Sequence, residues 1–186
     1  MKVKIGSSTL ELIKGDITEQ RTEAIVNAAN TKLAPGGGVA GAIHRVAGPE
    51  LWEECEGLGG CRTGEAKMTK GYKLPARYVV HTVGPVYSGD PEDAVLLGDC
   101  YINSLKLALK SGIKSISFPA ISTGVFGYPL EEAAIVALRS AIYFLKRNDG
   151  MDLIRFVLYS DRARRIHETH LKELVKKDSD IELIEE

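Results

Sequence analysis

Short apolar runs rich in β-branched residues alternate along this chain with longer segments whose apolar positions recur at helical spacing, the pattern of an α/β protein. Strands are predicted over Thr9–Ile13, Ala24–Ala28, Ala66–Thr69, Tyr78–Val83, Ser115–Pro119 and Ile154–Tyr159, with a shorter candidate at Val3–Ile5. Between them, Glu92–Ser111 sets Val95, Leu96, Cys100, Ile102, Leu105 and Leu109 at near-helical spacing, and Leu130–Leu145 is apolar enough to pack on a sheet. Both are long enough to cross between parallel strands. Ala24–Ala28 and Ser115–Pro119 are apolar without alternation, as strands covered on both faces are. Ala66–Thr69 and Tyr78–Val83 stand too close for a helical crossover and suit antiparallel pairing. The expected fold is a three-layer α/β/α sandwich around a mixed central sheet of about six or seven strands.

Arg162–Lys177 reads as a last amphipathic helix, with Ala163, Ile166, Leu171, Leu174 and Val175 on one stripe. Residues 178–186 hold five acids and no base, and form an acidic C-terminal tail or, through Ile181–Ile184, an edge strand. No linker or internal repeat divides the chain, so residues 1–186 are expected to be a single domain, within the usual span of roughly 100–200 residues.

Charge narrows the partners. The chain's 24 Lys+Arg and 25 Asp+Glu give a net charge of −1, which disfavours a nucleic acid polymer, because that binding relies on clustered cations that displace counterions. No stretch approaches the ~18 apolar residues of a membrane span, and the N-terminus lacks the apolar core of a secretion signal, so no membrane partner and a cytoplasmic location are expected. Cys55, Cys61 and Cys100 lack CxxC spacing and are expected to be plain thiols.

Two glycine-rich segments follow strands directly: Ala24–Asn30 continuing through Gly36, Gly37 and Gly38 to Gly41, and Phe118–Gly127. Lys32 is the only charged residue in the two together. Loops without Cβ atoms let backbone N–H groups converge, and a following helix adds the positive end of its dipole, so such loops hold phosphate without lysine. One such loop could be merely a tight turn; two at this spacing suggest a diphosphate ligand. Gly36–Gly41 formally fits the GxGxxG of dinucleotide-dependent oxidoreductases, but Asn30–Pro35 separates it from its strand, and Glu53, Glu54 and Glu56 fall in a helical stretch rather than ending a second strand. No GxxxxGK[ST] is present.

These segments, with GDIT at Gly15–Thr18, AIVNAAN at Ala24–Asn30, GGGVAGAIHRVAG at Gly36–Gly48, Thr63–Pro85 and FPAISTGVFGYP at Phe118–Pro129, resemble the macro domain family of ADP-ribose-binding proteins. The resemblance runs from about Leu12 to Tyr159 and implies an ADP-ribose cleft at the strand ends of an α/β/α domain. It implies that Asp16 accepts from the adenine amino group, that Ile17 lines the base and that Tyr159 stacks on it. Gly37, Gly38, Val39 and Ala40 would form one phosphate loop, and Ser122, Thr123, Gly124, Val125 and Phe126 the other, with Phe126 against the distal ribose. Asn27 and Asn30 would point to that ribose and orient a water, making them the candidate catalytic residues.

The resemblance further implies ADP-ribose and mono-ADP-ribosylated proteins as partners, no cofactor, and hydrolysis of ADP-ribosyl esters: modified Asp or Glu side chains, O-acetyl-ADP-ribose or ADP-ribose 1''-phosphate. In the hydrolase branch most like this chain an Asp follows Gly-Gly-Gly-Val; Ala40 stands there, which leaves an enzyme of reduced activity and a silent reader module both open.

Among the histidines, His44 falls about 140° around its helix from Val39 and is expected to meet a polar partner at the helix edge. His81, within a strand, suits a hydrogen-bonded core position. His167 and His170 sit at i, i+3 without further ligands, so no metal is expected. Ser122 lacks a GxSxG context and suits a phosphate loop better than a nucleophile.

Overall fold

A computed structural model of the chain describes residues 1–184. The apolar runs become strands of one eight-stranded sheet: β1 (Lys2–Ile5), β2 (Ser8–Lys14), β3 (Ala24–Ala28), β4 (Ala66–Lys70), β5 (Tyr78–Thr82), β6 (Ser115–Phe118), β7 (Leu153–Leu158) and β8 (Ile181–Ile184), in the order β4-β5-β3-β6-β7-β2-β1-β8. The central β5, β3, β6, β7 and β2 are parallel. Antiparallel β4 closes one edge, with Ala66 opposite Thr82, as their short separation requires. At the other edge β1 pairs antiparallel with both β2 and β8. The sheet therefore has eight strands rather than six or seven, because the N-terminal run and the edge strand of the acidic tail both pair. Ile181, buried at 4% exposure, anchors that last strand. Glu185 and Glu186 of the tail lie outside the described residues.

Among the described residues, five α-helices cover the sheet: α1 (Gly38–Ala47), α2 (Pro49–Glu56), α3 (Glu92–Lys110), α4 (Leu130–Arg147) and α5 (Asp161–Lys177). Alternation along β3 shows how both faces are filled. Ala24 and Val26 join the core with Leu97, Leu105, Leu138 and Leu171 of α3, α4 and α5, whereas Ile25 faces Ile43, Ala47, Leu51 and Cys55 of α1 and α2. A strand apolar on both sides is what two helical layers demand.

The helix after β3 packs on one face and the helix after the adjacent β6 on the other. Chains diverging from the carboxyl ends of neighbouring parallel strands open a crevice between them. The loops leading into α1, α4 and α5 all gather at that crevice. Among the described residues no helix is long and apolar enough to cross a membrane.

Candidate functional site

The crevice is a cleft of about 1080 Å³, bordered by Gly15–Ile17 after β2, Gly38, Val39, Ala42 and Arg45 of α1, Pro119, Ala120, Thr123, Gly124 and Gly127–Leu130 after β6, and Val157, Tyr159, Ser160, Arg162 and Ala163 from β7 into α5; Asn30, Gly37, Val125 and Phe126 stand outside this lining. Asp16 sits at one end. Its Oδ1 accepts from Thr18 N–H at 2.8 Å and Thr18 Oγ1 at 2.7 Å, capping the 3-10 turn Ile17–Glu19. Its Oδ2 makes no hydrogen bond among the described residues and is free to accept. Ile17 is buried beside it, while Tyr159 stands on the rim at 88% exposure.

The first glycine loop ends in the N-terminus of α1. Gly37 is the N-cap and has no side chain to offer, so N–H groups of the first turn keep unmet hydrogen-bonding capacity at the positive end of the helix dipole. Gly38 has φ of +56°, a left-handed conformation that glycine adopts without the Cβ clash. Gly41 is needed for another reason: a Cβ there would lie 2.3 Å from the Gly36 carbonyl oxygen. Gly37 has neither constraint, since its φ is −85° and a Cβ on it would meet nothing within 4 Å.

Asn30 fixes the approach to this loop. Its Nδ2 donates to the Ala34 carbonyl and its Oδ1 accepts from Ala34 N–H, both at 2.9 Å. The amide is thereby held beside Gly36, where a Cβ would lie 3.4 Å from Nδ2. One Nδ2 hydrogen and one Oδ1 lone pair remain for a ligand.

The second loop turns at Gly124–Gly127, where Gly127 N–H donates to the Gly124 carbonyl at 3.0 Å. Thr123 Oγ1 is occupied by the Ala120 carbonyl at 2.7 Å, leaving the Thr123 and Gly124 backbone to line the cleft. Gly124 mirrors Gly37: a Cβ on it would meet nothing within 4 Å. Val125, at the tip, is 100% exposed, and Phe126 is half-buried next to it.

Two expectations need correction. Asn27 does not face the cleft; it is fully buried, and its Nδ2 donates to His81 Nδ1 at 3.0 Å. The reason is strand parity: Asn27 lies on the same face of β3 as Ile25, beneath α1 and α2. Ser122 does not present its hydroxyl to a phosphate. Its φ of +66° turns Oγ into the protein, where it is buried without a partner, at a place a Gly84 Cβ would approach to 2.2 Å. A non-glycine residue held in this region stores backbone strain, on the order of 1–3 kcal/mol. Ala40, third in α1, is also buried, at 5% exposure.

His81 is a core histidine as expected. With Asn27 donating to Nδ1, its proton sits on Nε2, facing Thr69 Oγ1 at 2.8 Å, and burial with His44 nearby pushes its pKa down to about 3. His44 departs from expectation: neither ring nitrogen has a partner among the described residues, and burial lowers its pKa. Cys55, Cys61 and Cys100 are free, buried thiols, and the described residues contain no cluster of three or more metal-binding side chains.

Arg45, Arg162 and Tyr128 line the cleft but were not singled out from the sequence. The signal for Arg45 was its place two helical turns beyond Gly38, on the same face of α1; for Arg162, its nearness to Tyr159. Neither arginine forms an ion pair among the described residues. Positive potential thus comes from the helices, while the loops supply backbone donors.

The Macro domain family model matches residues 26–137. Macro domain-containing protein CT2219 of Chlorobaculum tepidum is 52% identical over 163 residues, covering 87% of this chain and 95% of that protein. A Xenopus laevis protein named ADP-ribose glycohydrolase MACROD2 is 48% identical over 95% of this chain, which spans only 44% of that relative's length. The solved structure of the Oceanobacillus iheyensis macrodomain with ADP superposes with a TM-score of 0.93 at 46% identity, covering 96% of this chain and 97% of the other.

Proposed function

We propose, from the premise that this chain belongs to the macro domain family, that its cleft binds ADP-ribose and that it hydrolyses ADP-ribosyl esters. One observation carries the reading. Gly124 lines the cleft and Gly37 directly precedes Gly38, which lines it too, and neither Gly37 nor Gly124 needs to be glycine for the protein's own sake; their bare backbones keep room for a guest at van der Waals distance. A diphosphate suits that gap, held by N–H groups of the α1 N-terminus and of the Thr123–Val125 backbone. Asp16 Oδ2 then accepts from the adenine amino group, with Ile17 and Tyr159 holding the ring. Phe126 packs against the distal ribose, and the spare donor and acceptor of Asn30 meet its hydroxyls. Asn27 supports this arrangement from below through His81 rather than touching the ligand.

In hydrolysis a water held between Asn30 and the diphosphate attacks the ester: its hydroxyl stays on the attacked carbon, the bond from that carbon to the departing oxygen breaks, the water's proton is passed on to that oxygen, and the acceptor's carboxylic acid and ADP-ribose separate. The first turn of α1 holds no acidic residue, so the substrate phosphate takes the water's proton. The substrates under this reading are ADP-ribosylated Asp and Glu side chains, O-acetyl-ADP-ribose and ADP-ribose 1''-phosphate. A relative named as an ADP-ribose glycohydrolase supports the enzymatic side; Ala40 favours the second reading, a reader that binds without turnover.

Following labelled ADP-ribose released from a carboxylate-modified acceptor protein separates the two. Release that falls more steeply than binding in Asn30→Ala is expected of the enzyme. No release over hours at high protein concentration makes the chain a reader.

A further inference from the structure

An apolar patch lies beside the cleft rather than within it. Val86 is 63% exposed, Tyr87 36% and Val125 100%, and they come from two loops that are tied together. Tyr87 N–H donates to the Phe126 carbonyl at 2.8 Å, and the Tyr87 ring lies 5.0 Å from that of Tyr128, a cleft-lining residue. The patch is thus continuous with the rim at the end where Phe126 is placed against the distal ribose. Under the ADP-ribose reading of the cleft, a group attached to that ribose leaves at this end.

The Val86 loop is held in shape. Asp93 accepts from the N–H groups of Ser88 at 2.8 Å and Gly89 at 3.0 Å, fixing the segment that follows Tyr87. Beyond it Asp90 and Glu92 are exposed, and neither is in an ion pair among the described residues. A nucleotide ligand alone uses neither this apolar surface nor the two exposed carboxylates next to it, of which Asp90 also accepts from Glu92 N–H at 2.9 Å. Exposed apolar surface rimmed by charge marks a site of contact with another chain.

We propose that Val86, Tyr87 and Val125, with Asp90 and Glu92, dock the polypeptide that carries the ADP-ribose. The segment that fits is extended, with an apolar side chain next to the modified carboxylate and Lys or Arg beyond it. This rests on the ADP-ribose reading of the cleft and names its acceptor.

The test uses ester-linked ADP-ribosyl peptides with Leu beside the modified Glu, flanked by either Lys or Glu, with free ADP-ribose as control. Val86→Ser is expected to lower kcat/KM on the Lys-flanked peptide by about tenfold, the worth of one buried valine contact, while affinity for free ADP-ribose stays within about twofold. Glu92→Lys should shift preference from the Lys-flanked to the Glu-flanked peptide by about threefold in each direction, as a rim charge does. Equal loss of peptide turnover and ADP-ribose affinity, or no loss of either, overturns the docking surface. If the unaltered chain turns over neither peptide, the catalytic reading fails by itself. Docking is then measured with amide-linked, hydrolysis-resistant peptides, expected to bind at least about fivefold tighter than free ADP-ribose through the valine contact, an advantage Val86→Ser removes. Peptide binding no tighter than free ADP-ribose overturns it.

Discussion

Replacing Gly124 with Ala should leave the fold intact and damage only the ligand site. The added Cβ meets no protein atom within 4 Å, and Gly124 is not among the glycines with positive φ. Removing glycine's freedom from the unfolded chain stabilises a protein by about 0.4–1 kcal/mol where the native conformation permits. For a chain of this size that corresponds to a melting temperature raised by about 1–4 °C. Binding should move the other way. A methyl group facing the diphosphate pushes it off the loop and loses one charge-assisted hydrogen bond, about 1.5–3 kcal/mol, or about 10- to 150-fold in Kd. Gly41→Ala supplies the contrast, because its Cβ would collide with the Gly36 carbonyl at 2.3 Å and lower the melting temperature. Thermal unfolding paired with calorimetric titration of ADP-ribose reads both quantities. Unchanged affinity in Gly124→Ala, with the fold intact, would refute the claim that this glycine is kept open for the ligand.

Further outcomes follow from the same geometry. Ala40→Asp places a carboxylate in the first turn of α1, where the helix dipole offers about 0.3–1 kcal/mol against the cost of burial; single-turnover rates on an ADP-ribosyl ester should rise with little change in melting temperature, and an unchanged rate would show that the substrate phosphate suffices. Asn27→Ala breaks the buried bond to His81 and should cost about 1–3 kcal/mol in denaturant unfolding, with ADP-ribose affinity changed far less than by Gly124→Ala. The buried histidines set the acid limit. His81 is held at about 3, and His44 and His167 are lowered by burial, so between pH 6.5 and 3 the unfolded chain binds more protons. Their contribution is complete above the unfolded value near 6.5 and declines as pH falls below it, by up to about 1.4 kcal/mol per pH unit for each proton taken up. Thermal melts from pH 7 to 4 should fall along this course, and a His81→Gln variant should show a shallower slope; equal slopes would remove His81 from the account.

Much of this was legible in the chain because period and separation are local properties. The apolar run Ala24–Ala28 announced a strand covered on both faces, and the short gap between Ala66–Thr69 and Tyr78–Val83 announced the antiparallel edge that forms. The pairing of Ile181–Ile184 with β1 was open, since it depends on contacts across 176 residues of chain, from Ile5 to Ile181. Side-chain direction was harder. Asn27 and Asn30 read alike in AIVNAAN, yet strand parity sends Asn27 under α1, whereas Asn30, beyond the strand, turns back onto Ala34. The inward turn of Ser122 follows from a single dihedral angle of +66° that residue type does not announce. Arg45 and Arg162 come to the cleft from helices far apart in sequence, so only the fold brings them to one cavity.

Calorimetric titration of the unaltered chain with ADP-ribose, repeated with NAD, tests the central claim most directly. Saturable one-to-one binding of ADP-ribose, with NAD weaker by at least about tenfold because its nicotinamide occupies the place of the free distal hydroxyl and forfeits at least about 1.4 kcal/mol of contacts there, is the predicted result. No binding of ADP-ribose, or tighter binding of NAD, would contradict the account.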